Sequence, residues 1–350
     1  MHFTQTLLAW YAENKREFEW RSSNDPYRIW LSEIILQQTR TSQGAPYYNR
    51  FIKTFPTVYD LAKAPEEKVL KLWQGLGYYS RARNLHSTAQ QVVKEFQGVF
   101  PSSFKDLIKL KGIGDYTASA IASICFRLPH AVVDGNVYRF LSRFFGIDTP
   151  IHSAGAQKEF KERATQLMDI NDPGTFNQAL MEFGSLICSP KAPQCSICPF
   201  QKSCYSFLHE AQFNYPVKIK KYKIKKRFFN YLILKDENQT IAFQQRIEKG
   251  IWFKLFEFPL IETEQDITTY KQLNNQFYFK ERFNSISKKA FLWNKEPIIH
   301  KLSHQTLYIR FWIFPQVANI MQGVLIKDIQ DYPVPVVLQN FIREYFKFDT

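Results

Sequence analysis

Four of the five cysteines, Cys188, Cys195, Cys198 and Cys204, fall in one short segment with the spacing C-x6-C-x2-C-x5-C. Four thiolates in a compact loop can ligate a [4Fe–4S] cluster or a tetrahedral zinc ion. Zinc ribbons use two C-x2-C pairs set further apart, and one such pair is present here. Disulfides would be spread to staple distant parts of a small secreted chain, which this clustering does not do. Cys125 stands apart, in the apolar run Ile121 to Phe126, and reads as a small buried hydrophobe.

Three further segments carry residues able to do chemistry. Leu110-Lys111-Gly112-Ile113-Gly114-Asp115-Tyr116-Thr117 lies between two helical patterns. Two glycines one residue apart permit a tight hairpin with outward N–H groups, and the helix that follows adds its positive end. Such a turn can hold one DNA phosphate without reading sequence, although a plain helix–helix turn shares the pattern. Gly75-Leu76-Gly77-Tyr78-Tyr79-Ser80-Arg81-Ala82-Arg83 mixes a glycine turn, two aromatics and two arginines. A loop that stacks on bases and neutralises phosphates has this composition, and so does a core tyrosine beside solvated arginines. Glu33, off the apolar stripe of its helix, and Asp134, before Gly135-Asn136-Val137, are the candidate carboxylates. From position alone, a solvated helix glutamate and an N-cap aspartate account for them equally well.

The elements that must position these groups are helical up to about residue 207. Asp25-Pro26 reads as an N-cap with proline at the first helical position, and Tyr27, Trp30, Leu31, Ile34 and Ile35 follow at helical spacing. Further helices are predicted over 57–62, 65–73, 79–96, 104–110, 116–126, 137–145, 156–168 and 176–187. Residues 216–227 are lysine-rich and suit a linker, a basic arm or a solvated edge strand. Beyond them the pattern turns β-rich, with strands predicted over 229–234, 241–245, 256–258 and 306–314 and a closing helix over 336–348. The formal charge of +14 favours a polyanionic partner, and the 45% apolar content allows real cores. No apolar run approaches the length of a membrane span, and the N-terminus lacks a signal peptide's basic start and cleavage site.

In their order, these segments resemble the helix-hairpin-helix glycosylases of the endonuclease III superfamily. The cysteine spacing, the hairpin Leu110–Gly114 and the segment Val133-Asp134-Gly135-Asn136-Val137 carry the likeness across residues 1–207. Within the superfamily the chain is most similar to the MutY-type adenine DNA glycosylases, through Ser32–Thr39, Gly75–Tyr79 and Gly112–Thr117. Lyase members place after the hairpin a lysine that forms a Schiff base with the sugar; here that place is Tyr116, and a phenol cannot. Gly250-Ile251-Trp252 and Phe256-Glu257-Phe258-Pro259 resemble the Nudix-like domain that ends this branch, without the G-x5-E-x7-R-E-x2-E-E pattern of pyrophosphate hydrolysis. Leu302 stands where the family usually has phenylalanine, before a lesion-reading Ser303-His304 turn.

The resemblance implies an all-α helix-hairpin-helix glycosylase domain (1–207) with a [4Fe–4S] loop at 188–204. A basic linker (208–227) and a smaller α+β Nudix-like domain (228–350) would follow. It implies a monofunctional base-excision enzyme that hydrolyses the N-glycosidic bond of adenine opposite 8-oxoguanine, and opposite guanine. Glu33 would protonate the base and Asp134 stabilise the sugar cation, with Tyr116, Asn136 and Glu182 completing the site. Gln38, Tyr78, Arg81, Gly112, Gly114, Lys191, Lys202, Ser303 and His304 would contact DNA, and the four clustered cysteines would hold the metal. The partner is double-stranded DNA carrying these mispairs, met by a monomeric, cytoplasmic protein working at the bacterial nucleoid. The alternatives are a bifunctional lyase for oxidised pyrimidines and a non-catalytic iron–sulfur DNA-binding protein, with a Nudix hydrolase more distant.

Overall fold

The Asp25-Pro26 pair does what its chemistry suggests: the Asp25 side chain accepts from the Tyr27 N–H, and Pro26 opens the helix that carries Glu33. The structure is a computed structural model and describes residues 3–219, 224–283, 290–317, 320 and 322–348. In chain order the helices are α1 (Phe3–Asn14), α2 (Pro26–Leu36), α3 (Thr41–Thr54), α4 (Val58–Lys63), α5 (Glu66–Trp73), α6 (Ser80–Phe96), α7 (Phe104–Leu107), α8 (Asp115–Phe126), α9 (Gly135–Phe145), α10 (Ala156–Leu167), α11 (Pro173–Leu186), α12 (Tyr205–Leu208), α13 (Tyr270–Asn274), α14 (Phe277–Phe283) and α15 (Val336–Phe346). The strands are β1 (Lys225–Leu234), β2 (Thr240–Ala242), β3 (Gln244–Gln245), β4 (Phe256–Glu257), β5 (Leu260–Thr263), β6 (Phe291–Leu292), β7 (Ile298–Lys301), β8 (Gln305–Phe314) and β9 (Gly323–Leu325). None of the helices is long and apolar enough to cross a membrane among the described residues.

Two compact units divide the chain. One holds Met1–Ala64 with Arg83–Lys220, the other Pro65–Ala82 with Lys221–Thr350.

The first unit is helical among its described residues. Side-chain caps start its helices at Thr57, Asp134 and Asp172. Its core gathers Leu7, Tyr11, Phe140, Phe160, Phe176 and Phe183 from α1, α9, α10 and α11. Phe200, from the cysteine segment, is 3% exposed and packs 4.9 Å from Phe3, 5.2 Å from Phe183 and 5.5 Å from Phe140. One aromatic ring thus pins the cysteine loop into the core. Helix α3 escapes the sequence reading, because Gly44 and Pro46 read as loop. Gly44 earns its place by packing: a Cβ there would stand 2.6 Å from Leu36 Cδ2.

The second unit is built on a mixed sheet in the order β5-β1-β8-β6, with β7 also on β8. β1 and β8 run parallel, pairing Phe229 with Ile309, and each is buried over its last six residues. Such strands read as continuous apolar runs rather than alternating ones. The last lysine-rich residues, Lys225 to Arg227, belong to β1, which is central and not an edge. Helix α15 closes one face, Phe341 stacking on Phe311 with ring centroids 3.8 Å apart.

Pro65–Ala82 joins this unit although its sequence lies inside the helical half. Lys71 Nζ donates to the Gln330 and Tyr332 carbonyls, and Gln74 Oε1 accepts from the Val334 N–H at 3.1 Å. Tyr79 donates to the Val334 carbonyl at 3.3 Å, and Lys254 pairs with Glu66. No local pattern announces these ties, which bridge about 190 to 260 positions of sequence.

Candidate active site and cysteine pocket

Three elements of the first unit bring the candidate catalytic residues together: α2 supplies Glu33, the first turn of α8 Tyr116, and the start of α9 Asp134 and Asn136. α2 packs on α8, and α8 and α9 pack on α11. The Tyr116 hydroxyl donates to Glu33 Oε2 at 2.6 Å and lies 3.5 Å from Met181 Sδ. Burial raises the Glu33 carboxyl; the Tyr116 hydrogen bond pulls it back, the Asp134 charge pushes it further, and it settles at about 7. Burial likewise holds the Tyr116 phenol well above its ordinary value, with Glu33 and Asp134 adding to the effect.

Asp134 is differently furnished. Its Oδ1 accepts from the Asn136 and Val137 N–H groups, both at 2.8 Å, and its Oδ2 from Asn136 Nδ2 at 2.7 Å. Burial raises its pKa against these three donors. It also sits at the positive end of α9. Three N–H donors and a helix dipole favour its carboxylate, whereas Glu33 receives one O–H. Burial raises both carboxyl groups, and they differ in the donors that oppose it, one O–H on Glu33 and three N–H groups on Asp134.

Glu182, expected beside them, is 1% exposed and spends its oxygens on a structural tie. It accepts from Arg16 N, Nε and Nη2 at 3.0, 2.7 and 2.9 Å and from Arg21 Nη2 at 2.9 Å. Burial would raise its pKa, but the Arg16 and Arg21 hydrogen bonds outweigh that and hold it at about 2. An ionised, saturated carboxylate has no proton to give, and its role is to anchor the segment around Arg16–Arg21 on α11.

Asn136 links the site to the cysteine loop. Its Oδ1 accepts from Arg139 Nη2 at 2.9 Å, while Arg139 Nε donates to the Cys188 carbonyl at 2.7 Å. Gly184 allows this approach of α9 to α11, since a Cβ there would stand 2.6 Å from the Asn136 carbonyl oxygen. Arg143, one turn on and 3% exposed, donates to the Ser189 carbonyl at 2.8 Å, the Gln212 carbonyl at 2.7 Å and Cys188 Sγ at 3.5 Å. Sequence reasoning missed both arginines, along with Arg16, Arg21 and Met181. Two arginines a turn apart on an amphipathic helix could have drawn attention, but only packing shows that they face inward.

Cys188, Cys195, Cys198 and Cys204 line one pocket, with Phe140, Phe183, Phe200 and Arg143 in its wall. No disulfide joins them among the described residues, and burial raises Cys195, Cys198 and Cys204, Cys198 to about 12. Among the described residues no group of three His, Cys, Asp or Glu side chains is placed to hold a metal ion. Cys125 does not line it; it is half-buried, its thiol raised by burial to about 12.

The DNA-facing expectations divide. Gly112 has φ +77, and a Cβ there would meet Asn84 Cβ at 2.7 Å, so the hairpin needs glycine at this position. Gly114, the N-cap of α8, has open space around it. Gln38 and Tyr78 both hold left-handed backbone, φ 54 and 47, a conformation concentrated at functional sites. Lys191, Lys202, Ser303 and His304 are exposed. Arg81 is the correction: it is 9% exposed, its guanidinium 5.0 Å from the Trp73 ring and 3.4 Å from the Gly77 carbonyl. Burial lowers its pKa to about 10. It braces the Gly75–Arg83 loop from within and does not offer its charge to a phosphate.

Comparison with known proteins points the same way. The profile of the HhH-GPD superfamily base excision DNA repair proteins matches residues 31–166, and that of the NUDIX domain residues 230–344. The chain is 40% identical over 357 residues to the adenine DNA glycosylase of Buchnera aphidicola subsp. Baizongia pistaciae, covering 99% of this chain and 98% of that one. It is 37% identical over 327 residues to the adenine DNA glycosylase of Arabidopsis thaliana, covering 81% and 52%. Among solved structures, a thermostable thymine-DNA glycosylase aligns with TM-score 0.55 and 30% identity, covering 59% of this chain and 95% of that one. An endonuclease III trapped as a covalent intermediate with DNA aligns at 0.52 and 19%, covering 59% and 94%, a likeness of fold.

Proposed function

The chain belongs to the adenine DNA glycosylase family, and on that footing we propose that it removes adenine from DNA in base excision repair, with Glu33 as acid and Asp134 as the anion facing the sugar. The observation that carries the reading is Glu33 held near neutrality beside Tyr116 and Asp134.

Adenine must leave the stack before its glycosidic bond can be reached. Tyr116 occupies Glu33 Oε2, so the Glu33 proton rides on Oε1 and is delivered to N7 of the base. The electron pair of the breaking C1′–N9 bond then departs with a neutral leaving group. Asp134, whose carboxyl accepts from three N–H donors, faces and stabilises the oxocarbenium-like sugar. Water adds at C1′ and gives its proton to the Glu33 carboxylate, which restores the acid. Tyr116 has no amine to trap the sugar, so no Schiff base forms and the strand stays intact.

Gly112 and Gly114 would hold a phosphate, Gln38 and Tyr78 would enter the duplex, and Lys191 and Lys202 would meet the backbone. Ser303 and His304 would meet 8-oxoguanine opposite the adenine. Cys188, Cys195, Cys198 and Cys204 would hold a [4Fe–4S] cluster: four half-buried cysteines lining one pocket, with an Arg143 N–H on Cys188 Sγ, fit a group that takes one thiolate per iron. When bound, such a cluster supplies rigidity and charge to the loop bearing Lys191 and Lys202. One monomer would act on one duplex.

Single-turnover assays on duplexes with adenine opposite 8-oxoguanine or guanine test the reading. Adenine release is expected, with strand breakage after alkali. Strand cleavage without alkali, or release of oxidised pyrimidines with adenine untouched, would overturn it.

A further inference from the structure

Among the described residues five serines are buried: Ser32, Ser119, Ser123, Ser142 and Ser206. Four of them have partners. The Ser32, Ser123 and Ser142 hydroxyls donate to the Ile29, Ala120 and Arg139 carbonyls, three residues back on their own helices, at 2.8, 3.2 and 3.1 Å. Ser119 Oγ accepts from Lys161 Nζ at 3.2 Å. Ser206 differs: it is 0% exposed, and its Oγ has no hydrogen-bond partner among the described residues. A buried hydroxyl without a partner is destabilising, and the rare examples in native proteins have a reason.

The surroundings of Ser206 supply one. It is the second residue of α12, the short helix that follows Cys204, and it lines the cysteine pocket. The rings of Phe140, Phe183 and Phe200 offer a hydroxyl no strong acceptor, and Arg143 only donates. The acceptors around which this pocket is built are the four sulfurs. Other donors already serve three of them: the Phe200 N–H on Cys198, the Ser206 and Phe207 N–H groups on Cys204, and Arg143 Nη1 on Cys188.

We propose that Ser206 is a positioning and tuning residue of the cysteine pocket, its hydroxyl donating to a sulfur at the Cys204 corner of the bound [4Fe–4S] cluster. The inference rests on the reading of the four cysteines as ligands of that cluster. A serine hydroxyl carries one proton, and giving it to sulfur satisfies the buried group. Each electron added to a cluster with four thiolate ligands makes it more negative. An O–H aimed at its sulfur therefore stabilises the reduced form over the oxidised one and raises the reduction potential. The cluster gives up an electron less readily, and the loop bearing Lys191 and Lys202 keeps the group that orders it.

The test compares the full-length, cluster-loaded wild type with Ser206→Ala. Alanine adds no volume and suits a helix, so the variant should fold and carry the same iron and labile sulfide as the wild type. Voltammetry, with the electrode supplying and removing the electron, reads the one-electron couple. The equilibrium between the two oxidation states should move about fivefold towards the oxidised form, the equivalent of ~1 kcal/mol for one hydrogen bond. At 59 mV per decade this is a negative shift of ~40 mV. Iron release to a ferrous chelator, followed by the loss of visible absorbance, should be about fivefold faster. Wild-type potential and wild-type iron release in Ser206→Ala would overturn the inference and leave the cluster reading standing. A wild-type protein that binds no iron and labile sulfide would overturn the cluster reading and the inference with it.

Discussion

Replacing Glu33 by glutamine should abolish base release and, at the same time, stabilise the protein increasingly as pH rises. The carboxyl is raised from 4.5 to about 7 in the folded chain, so the native state holds its proton more tightly than the unfolded state does. Below about pH 4.5 both states are protonated and the residue costs nothing. Between 4.5 and 7 the unfolded chain ionises first, and the penalty on folding grows until it levels off above 7. Linkage between those two values gives a penalty of ~0.8 kcal/mol at pH 5 and ~3.3 kcal/mol at pH 8. Partial exposure of the carboxyl screens this, so a difference of ~1–2 kcal/mol between the two pH values is expected. Glutamine keeps the acceptor for Tyr116 and carries no charge, so Glu33→Gln removes the penalty and little else. Thermal melts of both proteins at pH 5 and pH 8 read the effect, and the variant's advantage should be ~2–8 °C larger at pH 8. The same advantage at both values, or a larger one at pH 5, would refute a proton held on Glu33 by burial. Wild-type single-turnover rates should fall as pH rises through about 7, by the same titration.

Three further perturbations address the supports of the site. Glu182→Gln should lower the melting temperature by the equivalent of ~2–4 kcal/mol at neutral pH, because it leaves Arg16 and Arg21 without their buried carboxylate. Since the Glu182 pKa is lowered to about 2, melts in acid should show that loss shrinking as pH falls from about 4.5 through 2. Gly112→Ala should cost ~1–2 kcal/mol and weaken DNA binding, whereas Gly114→Ala, in ordinary backbone with open space, should fold normally and weaken binding alone. Melting curves beside duplex titrations separate the two effects. Cys198→Ser should reduce bound iron and labile sulfide, thermal stability and DNA affinity more than the rate of bond cleavage once DNA is bound.

The sequence by itself determined the short-range features. Asp25-Pro26 capped the Glu33 helix, Gly112 specified a left-handed turn, and Asp134 was placed to cap α9, because capping and turn chemistry depend on residues a few positions apart. It also grouped the four cysteines and replaced the lyase lysine by Tyr116. It could not set protonation states. Glu33 is a solvated-looking helix residue until Tyr116, 83 positions away, and Asp134 close over it. Desolvation and Coulomb interactions act through space, and which groups meet is settled by packing. The same reason turned Arg81 inward, assigned Glu182 to Arg16 and Arg21, and brought Pro65–Ala82 into the unit that contains Ser303. A tyrosine on a glycine loop and a serine in a β-turn show no relation in one dimension; only the tertiary fold places their hydroxyls 2.5 Å apart.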